Sequence, residues 1–177
     1  MTSSPIIRDT LTFERKISAT PDVVWRAYMD PSARAMWSAP AGEALVFDRT
    51  DFRPGGRDEY RCGPVDSLPF HGVLDYLHIE SPMLIVHTDT VTTNGHLLAA
   101  ALLTWEFADD HDGCTTVKVT NQVTSFVGNS MIDGHRNGHL KALGQLNDFV
   151  LLNPTEPRTG PANHRSDESA LNSPSGP

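Results

Sequence analysis

The chain has little cysteine. Its 177 residues contain two cysteines, Cys62 and Cys114, and neither belongs to a C-x-x-C pair. This spacing argues against a disulfide framework and against a thiolate zinc site, because both need more cysteines or closer pairs. We therefore interpret both side chains as reduced thiols of a cytoplasmic protein.

Basic residues are also few and scattered. Lys and Arg number 14 against 22 Asp and Glu, which gives a formal net charge of -8. Because there is no cluster of Lys and Arg to follow phosphates, nucleic acid and anionic membrane surfaces are poor partners, and a neutral or weakly charged small molecule suits the chain better. Long apolar runs are missing as well, since nothing approaches the roughly 20 residues of a membrane helix or the apolar stretch of a signal peptide. We expect a soluble protein.

The composition predicts one domain followed by a tail. A hydrophobic content of 38% suffices for a single core in a chain of this length. Residues 153–177 contain five prolines and few large apolar side chains. Such a segment cannot bury enough surface to offset the entropy of ordering. We therefore predict a domain over 1–152 and a disordered Pro/Ser-rich tail over 153–177.

The beginning of the domain predicts a strand and two short helices. Leu11, Phe13 and Ile17 alternate with mostly polar residues, as on a half-buried strand. Thr20 is predicted to cap a helix that begins with Pro21, and a second short helix should end near Trp37.

Residues 44–126 predict strand after strand. The strands are separated by turn residues, which include Pro54-Gly55-Gly56 and Asn94-Gly95. Connections this short require antiparallel neighbours, so the six strands form a meander. They are ALVFDRTDF, RDEYRCG, FHGVLDYLHIE, MLIVHTDTVT, LLAAALLTWEFA and TTVKVTNQVTSF.

The segment from about Met131 to Leu152 predicts one long helix. Apolar residues and two histidines recur there at i, i+3, i+4 and i+7. Its glycines weaken it, so packing on a sheet must hold it. We therefore predict an α+β fold: a curved seven-stranded antiparallel sheet, two short helices and a long C-terminal helix. Because a large twisted sheet coils, it should leave a cavity beneath that helix.

Several stretches resemble a known family. They are ISATPDVVWRAYMDP, DFRPGGRDEYR, FHGVLDYLHIESPMLIVHT and GHRNGHLKALGQLNDFV, together with Trp37 at the end of the second helix. From about Leu11 to Leu152 the chain is similar to the SRPBCC superfamily, whose fold is the START-like helix-grip fold. Within it, the chain resembles the group like the C-terminal domain of the activator of the heat-shock-protein-90 ATPase. One departure is His135 after Gly134, where bacterial relatives usually carry Trp.

The resemblance gives Pro54-Gly55-Gly56 a role as the turn between the second and third strands. Arg53 and Arg57 then lie at the rim of the sheet. We favour the interpretation that these arginines form solvent-exposed ion pairs with Asp51, Asp58 or Glu59.

His135 and His139 are the histidines with ligand spacing, i and i+4 on one helical face. The stretch HRNGH lacks the Glu of the H-E-x-x-H motif, so we predict no metal and no cofactor. Two alternatives stay open: neutral imidazoles that reach into the cavity, or partly exposed histidines near the start of the helix.

Strand alternation adds candidates for the cavity wall. Asn121 is a polar group on an otherwise apolar strand face, where it either pairs within the sheet or faces a ligand. The predicted ligand-binding set is Trp37, Tyr60, Tyr76, Leu103, Trp105, Phe107, Val119, Asn121, Met131, His135, His139 and Leu143.

The sequence contains neither a G-x-S-x-G elbow nor a glycine-rich phosphate loop that leads into a helix, so no nucleophile or ATPase site is predicted. Our first hypothesis is a protein that binds a small hydrophobic or amphipathic ligand in the cavity. The resemblance implies two alternatives: an enzyme of the polyketide cyclase or dehydratase kind, and an accessory protein of a heat-shock-protein-90-type chaperone. It also permits a homodimer.

Overall fold

A computed structural model describes residues 4–154. The chain forms seven strands and three helices in this range. The predicted tail lies outside the described residues apart from Asn153 and Pro154. The elements are β1 (Ile7–Ile17), α1 (Pro21–Met29), α2 (Pro31–Ser38), β2 (Glu43–Arg49), β3 (Arg57–Pro64), β4 (Phe70–Glu80), β5 (Leu84–Thr93), β6 (His96–Asp109), β7 (Thr115–Ser125) and α3 (Asn129–Leu152).

The strands form one antiparallel sheet in the order β1-β7-β6-β5-β4-β3-β2. Strands β2 to β7 are therefore a meander, and β1 closes on β7 at the opposite edge from β2. The predicted α+β helix-grip fold is confirmed. Among residues 4–154, no helix is long and apolar enough to cross a membrane.

The short helices begin as predicted but are capped differently. Pro21 opens α1 and Thr20 is its N-cap residue, as predicted, but the Thr20 side chain makes no capping hydrogen bond. Side-chain capping is found one helix later. Asp30 accepts hydrogen bonds from the backbone N–H groups of Ser32 at 2.8 Å and Ala33 at 3.2 Å, which satisfies the first turn of α2.

The turn at Pro54-Gly55-Gly56 connects β2 to β3, as predicted. Gly55 has φ of 75°, in the left-handed region that favours glycine. A Cβ atom on Gly56 would lie 2.0 Å from the backbone oxygen of Asp51. The close approach of the two backbone segments therefore explains the second glycine, whereas positive φ explains the first.

The solid part of the core lies where α1 and the C-terminal half of α3 cover the sheet. Trp25 packs edge-on against Phe107, with ring centroids 5.4 Å apart. Leu143, Leu146 and Val150 of α3 are buried in the same core. Burial of these large apolar side chains holds a helix whose own propensity is poor.

An ion pair between Arg34 of α2 and Asp58 of β3 lies inside the protein, with side-chain exposures of 5% and 0%. Arg34 also donates to the hydroxyl oxygen of Tyr76 at 2.7 Å, and that hydroxyl donates to Asp58 at 2.6 Å. The prediction that Asp58 forms a solvated pair with Arg53 or Arg57 is wrong. A carboxylate this deeply buried needs a cation with several donors, and Arg34 supplies them.

The arginines on either side of the turn are exposed, as predicted. Arg53 pairs with Asp51 at 2.9 Å. Arg57 pairs with Asp75 on the neighbouring strand at 2.7 Å, which is none of the three predicted partners. The cross-strand register explains this, because Arg57 lies directly opposite Asp75.

Replacing Arg34 should be costly. We expect Arg34→Leu to lower the free energy of unfolding by about 3–5 kcal/mol, because it leaves Asp58 buried without a counter-charge. Urea unfolding followed by circular dichroism measures the change. Arg53→Leu is the matched control, because it breaks an exposed pair and should cost less than about 1 kcal/mol. Equal losses in the two variants would contradict this assignment.

Candidate functional site

A cavity of about 870 Å³ lies between the inner face of the sheet, helix α2 and the N-terminal half of α3. Most of its wall is apolar. Representative apolar residues of the wall are Leu45, Leu74, Leu98, Leu103, Trp105 and Met131. A hollow of this size and character is typical of a site for a small molecule.

The cavity exists because one face of α3 carries small residues. Gly134, Gly138 and Ala142 follow each other at i and i+4 and all line the cavity. A Cβ atom added at Gly134 or Gly138 would meet nothing within 4 Å. Further along the helix, large side chains replace the small ones and the space closes.

Part of the predicted ligand-binding set lies on the cavity wall. These residues come from α2, from two strands and from α3, so the tertiary fold brings them together. They are Trp37, Tyr60, Leu103, Trp105, Met131, His135 and His139. Their role in binding stays a prediction.

The structure corrects the placement of the remaining predicted residues. Phe107, Val119 and Leu143 are buried in the solid core, since they face the sheet surface that α1 and the end of α3 cover. Tyr76 belongs to the hydrogen-bond network of Arg34 and Asp58. Asn121 is fully buried behind His135. Alternation along a strand identifies its inner face but does not show where on that face the space is left.

His135 and His139 both line the cavity, and both keep part of their surface exposed near the start of α3. Nδ1 of His139 donates to the backbone oxygen of His135 at 2.8 Å, since a carbonyl can only accept. In the neutral ring, Nε2 of His139 is therefore a hydrogen-bond acceptor. The amide nitrogen of Asn121 donates to Nδ1 of His135 at 2.8 Å, so Nε2 of His135 carries the proton.

Burial lowers the pKa of both histidines. The pKa of His135 falls to about 4, with a smaller contribution from the neighbouring His139. The pKa of His139 is also lowered by burial, against a hydrogen bond that raises it. Both rings are therefore neutral at pH 7. One donating and one accepting Nε2 atom are available at this end of the cavity.

Buried polar atoms near the histidines have no hydrogen-bond partner among residues 4–154. They are Oδ1 of Asn121 and Nε1 of Trp105. Unpaired buried groups are rare in folded proteins because each costs about 1–3 kcal/mol. Both atoms lie beside the histidines, so this part of the protein keeps unused hydrogen-bonding capacity.

A second polar group lies on the wall formed by the sheet. The hydroxyl of Tyr60 on β3 is 3.2 Å from each carboxylate oxygen of Asp89 on β5. Gly72, on the strand between them, makes this contact possible. A Cβ atom there would lie 1.9 Å from Cζ of Tyr60, so any side chain would displace the ring that reaches across to Asp89.

Burial raises the pKa of Asp89 to about 7, although the hydrogen bond from Tyr60 acts in the opposite direction. The side chain keeps some accessible surface and lines the cavity. A carboxyl group of this kind exchanges its proton near neutral pH, which suits an acid or a base.

His87 and Tyr28 form a third polar contact. Nδ1 of His87 donates to the backbone oxygen of Thr88 at 3.1 Å, so its Nε2 accepts from the hydroxyl of Tyr28 at 3.4 Å. Burial lowers the pKa of His87 to about 4 and raises that of Tyr28 to about 12. Both groups are therefore neutral at pH 7.

Sequence reasoning missed His87, Asp89 and Arg34. The signal for the first two was present, because Ile85, His87, Asp89 and Val91 alternate along β5 and share its inner face. Arg34 gave no such signal, since its partner lies two elements away. Among residues 4–154, there is no group of three or more His, Cys, Asp or Glu side chains that could hold a metal ion.

Comparison with known proteins agrees with this architecture. The family model described as Activator of Hsp90 ATPase homolog 1-like protein matches residues 18–150. An uncharacterised protein from Rhizobium leguminosarum has a similar structure, with a TM-score of 0.73 and 26% identity over 84% of this chain and 97% of that one. Protein Mll3558 from Rhizobium loti gives a TM-score of 0.71 and 25% identity over 82% and 99% of the two chains. Protein CV1439 from Chromobacterium violaceum gives a TM-score of 0.69 and 25% identity over 80% of this chain and 96% of that one. None of the curated proteins that were compared matches the chain.

The raised pKa of Asp89 predicts a pH-dependent stability. The folded state keeps the proton up to about pH 7 whereas the unfolded chain loses it near its ordinary value, so this group lowers stability as pH rises between them. We expect the free energy of unfolding of Asp89→Asn, relative to that of the wild type, to rise by about 2 kcal/mol from pH 5 to pH 8. Each pKa unit of the shift corresponds to about 1.4 kcal/mol. Urea unfolding at both pH values measures this difference. Asp75→Asn, a surface control, should not show the same gain, and a pH-independent effect of Asp89→Asn would contradict the assignment.

Proposed function

This chain belongs to the Activator of Hsp90 ATPase homolog 1-like protein family, and we propose that it binds a small, mainly apolar molecule in the cavity beneath α3. We assign this function to the unit formed by residues 1–152. The single observation that carries the proposal is the cavity of about 870 Å³ itself. A hollow of this size with a mainly apolar wall is typical of a site for a small molecule.

The wall of the cavity matches a guest with an apolar body and a few polar atoms. Aliphatic side chains and the rings of Trp37 and Trp105 supply the contact surface. Nε2 of His135 and Nε2 of His139 can donate and accept one hydrogen bond each. A guest with a hydroxyl or carbonyl group at that end satisfies atoms that the protein leaves free.

Proton transfer is the second candidate function, and the carboxyl group of Asp89 favours it. Its pKa near 7 and its place on the cavity wall fit a general acid or base. His139 offers an accepting nitrogen in the same cavity. These features support an enzyme of the cyclase or dehydratase kind. The chaperone-accessory role and the homodimer stay predictions, because they depend on partner surfaces rather than on the cavity.

Filling the cavity should prevent binding. Gly138 lines the cavity, and a side chain there enters open space while the helix gains about 0.5 kcal/mol of intrinsic propensity. We expect N-phenyl-1-naphthylamine, a neutral apolar fluorophore, to bind the wild type at one saturable site. Gly138→Phe should weaken its affinity at least five-fold in a fluorescence titration.

Gly144→Phe is the matched control. It places the same ring on the same helix outside the cavity wall, near the guanidinium of Arg15, which lies 3.8 Å from a Cβ atom at this position. Its affinity should stay within two-fold of the wild type. Native mass spectrometry of the purified wild type then identifies any small molecule that is retained. Equal affinity in the wild type and in Gly138→Phe would overturn the proposal.

For the second candidate, substitution of His139 is the test. We expect His139→Ala to lower the turnover of a poly-β-ketone thioester by about 10²–10⁴-fold, because it removes the accepting nitrogen from the reaction space. Product formation is followed by mass spectrometry, and urea unfolding checks that the variant is folded. Unchanged turnover would exclude His139 as the acid or base.

A further inference from the structure

We propose that the ligand of this cavity is an amphipathic amine, whose ammonium group pairs with Asp89 while its apolar part fills the space beneath α3. The inference rests on the proposed function and adds the chemical class of the ligand. It depends on where Asp89 lies, on what already contacts it, and on the charges that surround it.

Asp89 is placed among apolar neighbours. Leu74 of β4 and Ala101 of β6 are its partners across the sheet, and Val91 lies beside it on the same face of β5. An ionised carboxylate in such surroundings is unfavourable unless a positive charge or several donors compensate it. The position therefore favours a ligand that brings the missing charge.

Tyr60 compensates Asp89 incompletely. Its single hydroxyl proton is shared between two carboxylate oxygens, each at 3.2 Å, which is long for a hydrogen bond from a hydroxyl group. A carboxylate can accept about four hydrogen bonds, so most of its capacity remains unused. The absence of a side chain at Gly72 leaves the space through which Tyr60 reaches Asp89. The phenol holds the carboxylate in place for a ligand.

The buried cation of the cavity wall is already paired with another carboxylate. Arg34 is paired with Asp58, and its guanidinium lies 4.3 Å above the ring of Phe47. Lys141 lines the cavity from the exposed side of α3, and Glu43 lines it from the exposed edge strand β2. The other titratable groups of the wall carry no charge at pH 7; they are Tyr28 of α1, Tyr60 and Cys62 of β3, His87 of β5, and His135 and His139 of α3.

Among the charged groups that a small molecule can carry, an ammonium group is the best match for the incompletely hydrogen-bonded carboxylate of Asp89. It donates up to three hydrogen bonds, and bonds between ionised partners are about twice as strong as neutral ones. A ligand carboxylate would face Asp89 with like charge. A divalent metal ion needs more oxygen ligands than Asp89 supplies, and residues 4–154 contain no such cluster.

Three probes of equal chain length test the inference: n-decylamine, 1-decanol and decanoate. Isothermal titration calorimetry at pH 8 and moderate salt keeps the amine charged and Asp89 ionised. We expect wild-type protein to bind the amine at least ten-fold more tightly than the alcohol, and decanoate most weakly. In Asp89→Asn, the amine and the alcohol should bind within two-fold of each other.

Asp75→Asn is the control for the overall negative charge. It removes a surface carboxylate from the same sheet, so the preference for the amine should persist. If 1-decanol binds the wild type as tightly as the amine, or if Asp75→Asn loses the preference as Asp89→Asn does, the inference is overturned and the cavity remains a site for apolar molecules. If neither these probes nor N-phenyl-1-naphthylamine binds, the proposed function fails together with the inference.

Discussion

Helix α2 is joined to the sheet by an ion pair from which water is almost completely excluded. Arg34 approaches Asp58 of β3 and Tyr76 of β4 at once, so the three groups lock a helix onto two neighbouring strands. The backbone N–H of Asp51 adds a fourth contact at 2.8 Å and connects the turn after β2 to the same carboxylate. This network fixes the distance between α2 and the sheet, and so fixes one wall of the cavity.

The opposite wall depends on α2 as well. The side-chain amide of Gln145 on α3 donates to the backbone oxygens of Trp37 at 2.9 Å and Ala39 at 2.6 Å. Because α3 is anchored at this point and by its buried C-terminal half, its glycine-rich N-terminal half can span the sheet without filling the space beneath it. The contacts at Gln145 and in the buried C-terminal half of α3 therefore hold the helix in place above a space that side chains do not fill.

The cavity wall carries polar groups of two kinds. The neutral histidines of α3 favour hydrogen bonding to an uncharged group. Asp89 and Tyr60 lie on the sheet, where a negative charge forms readily near neutral pH. Two kinds of polar group on one mainly apolar wall can fix the orientation of a guest as well as its position.

Much of this protein was determined by its sequence alone. Periodicity of two and of 3.6, together with Gly and Pro at the turns, predicted every strand, the three helices and the antiparallel order, because these patterns are local. The same patterns predicted that His135 and His139 share a face of α3. The tertiary structure decided which inward side chains border space and which fill the core. It also decided that Arg34 meets Asp58 and that Tyr60 reaches Asp89 across Gly72, because those contacts join elements whose separation depends on how the whole sheet coils.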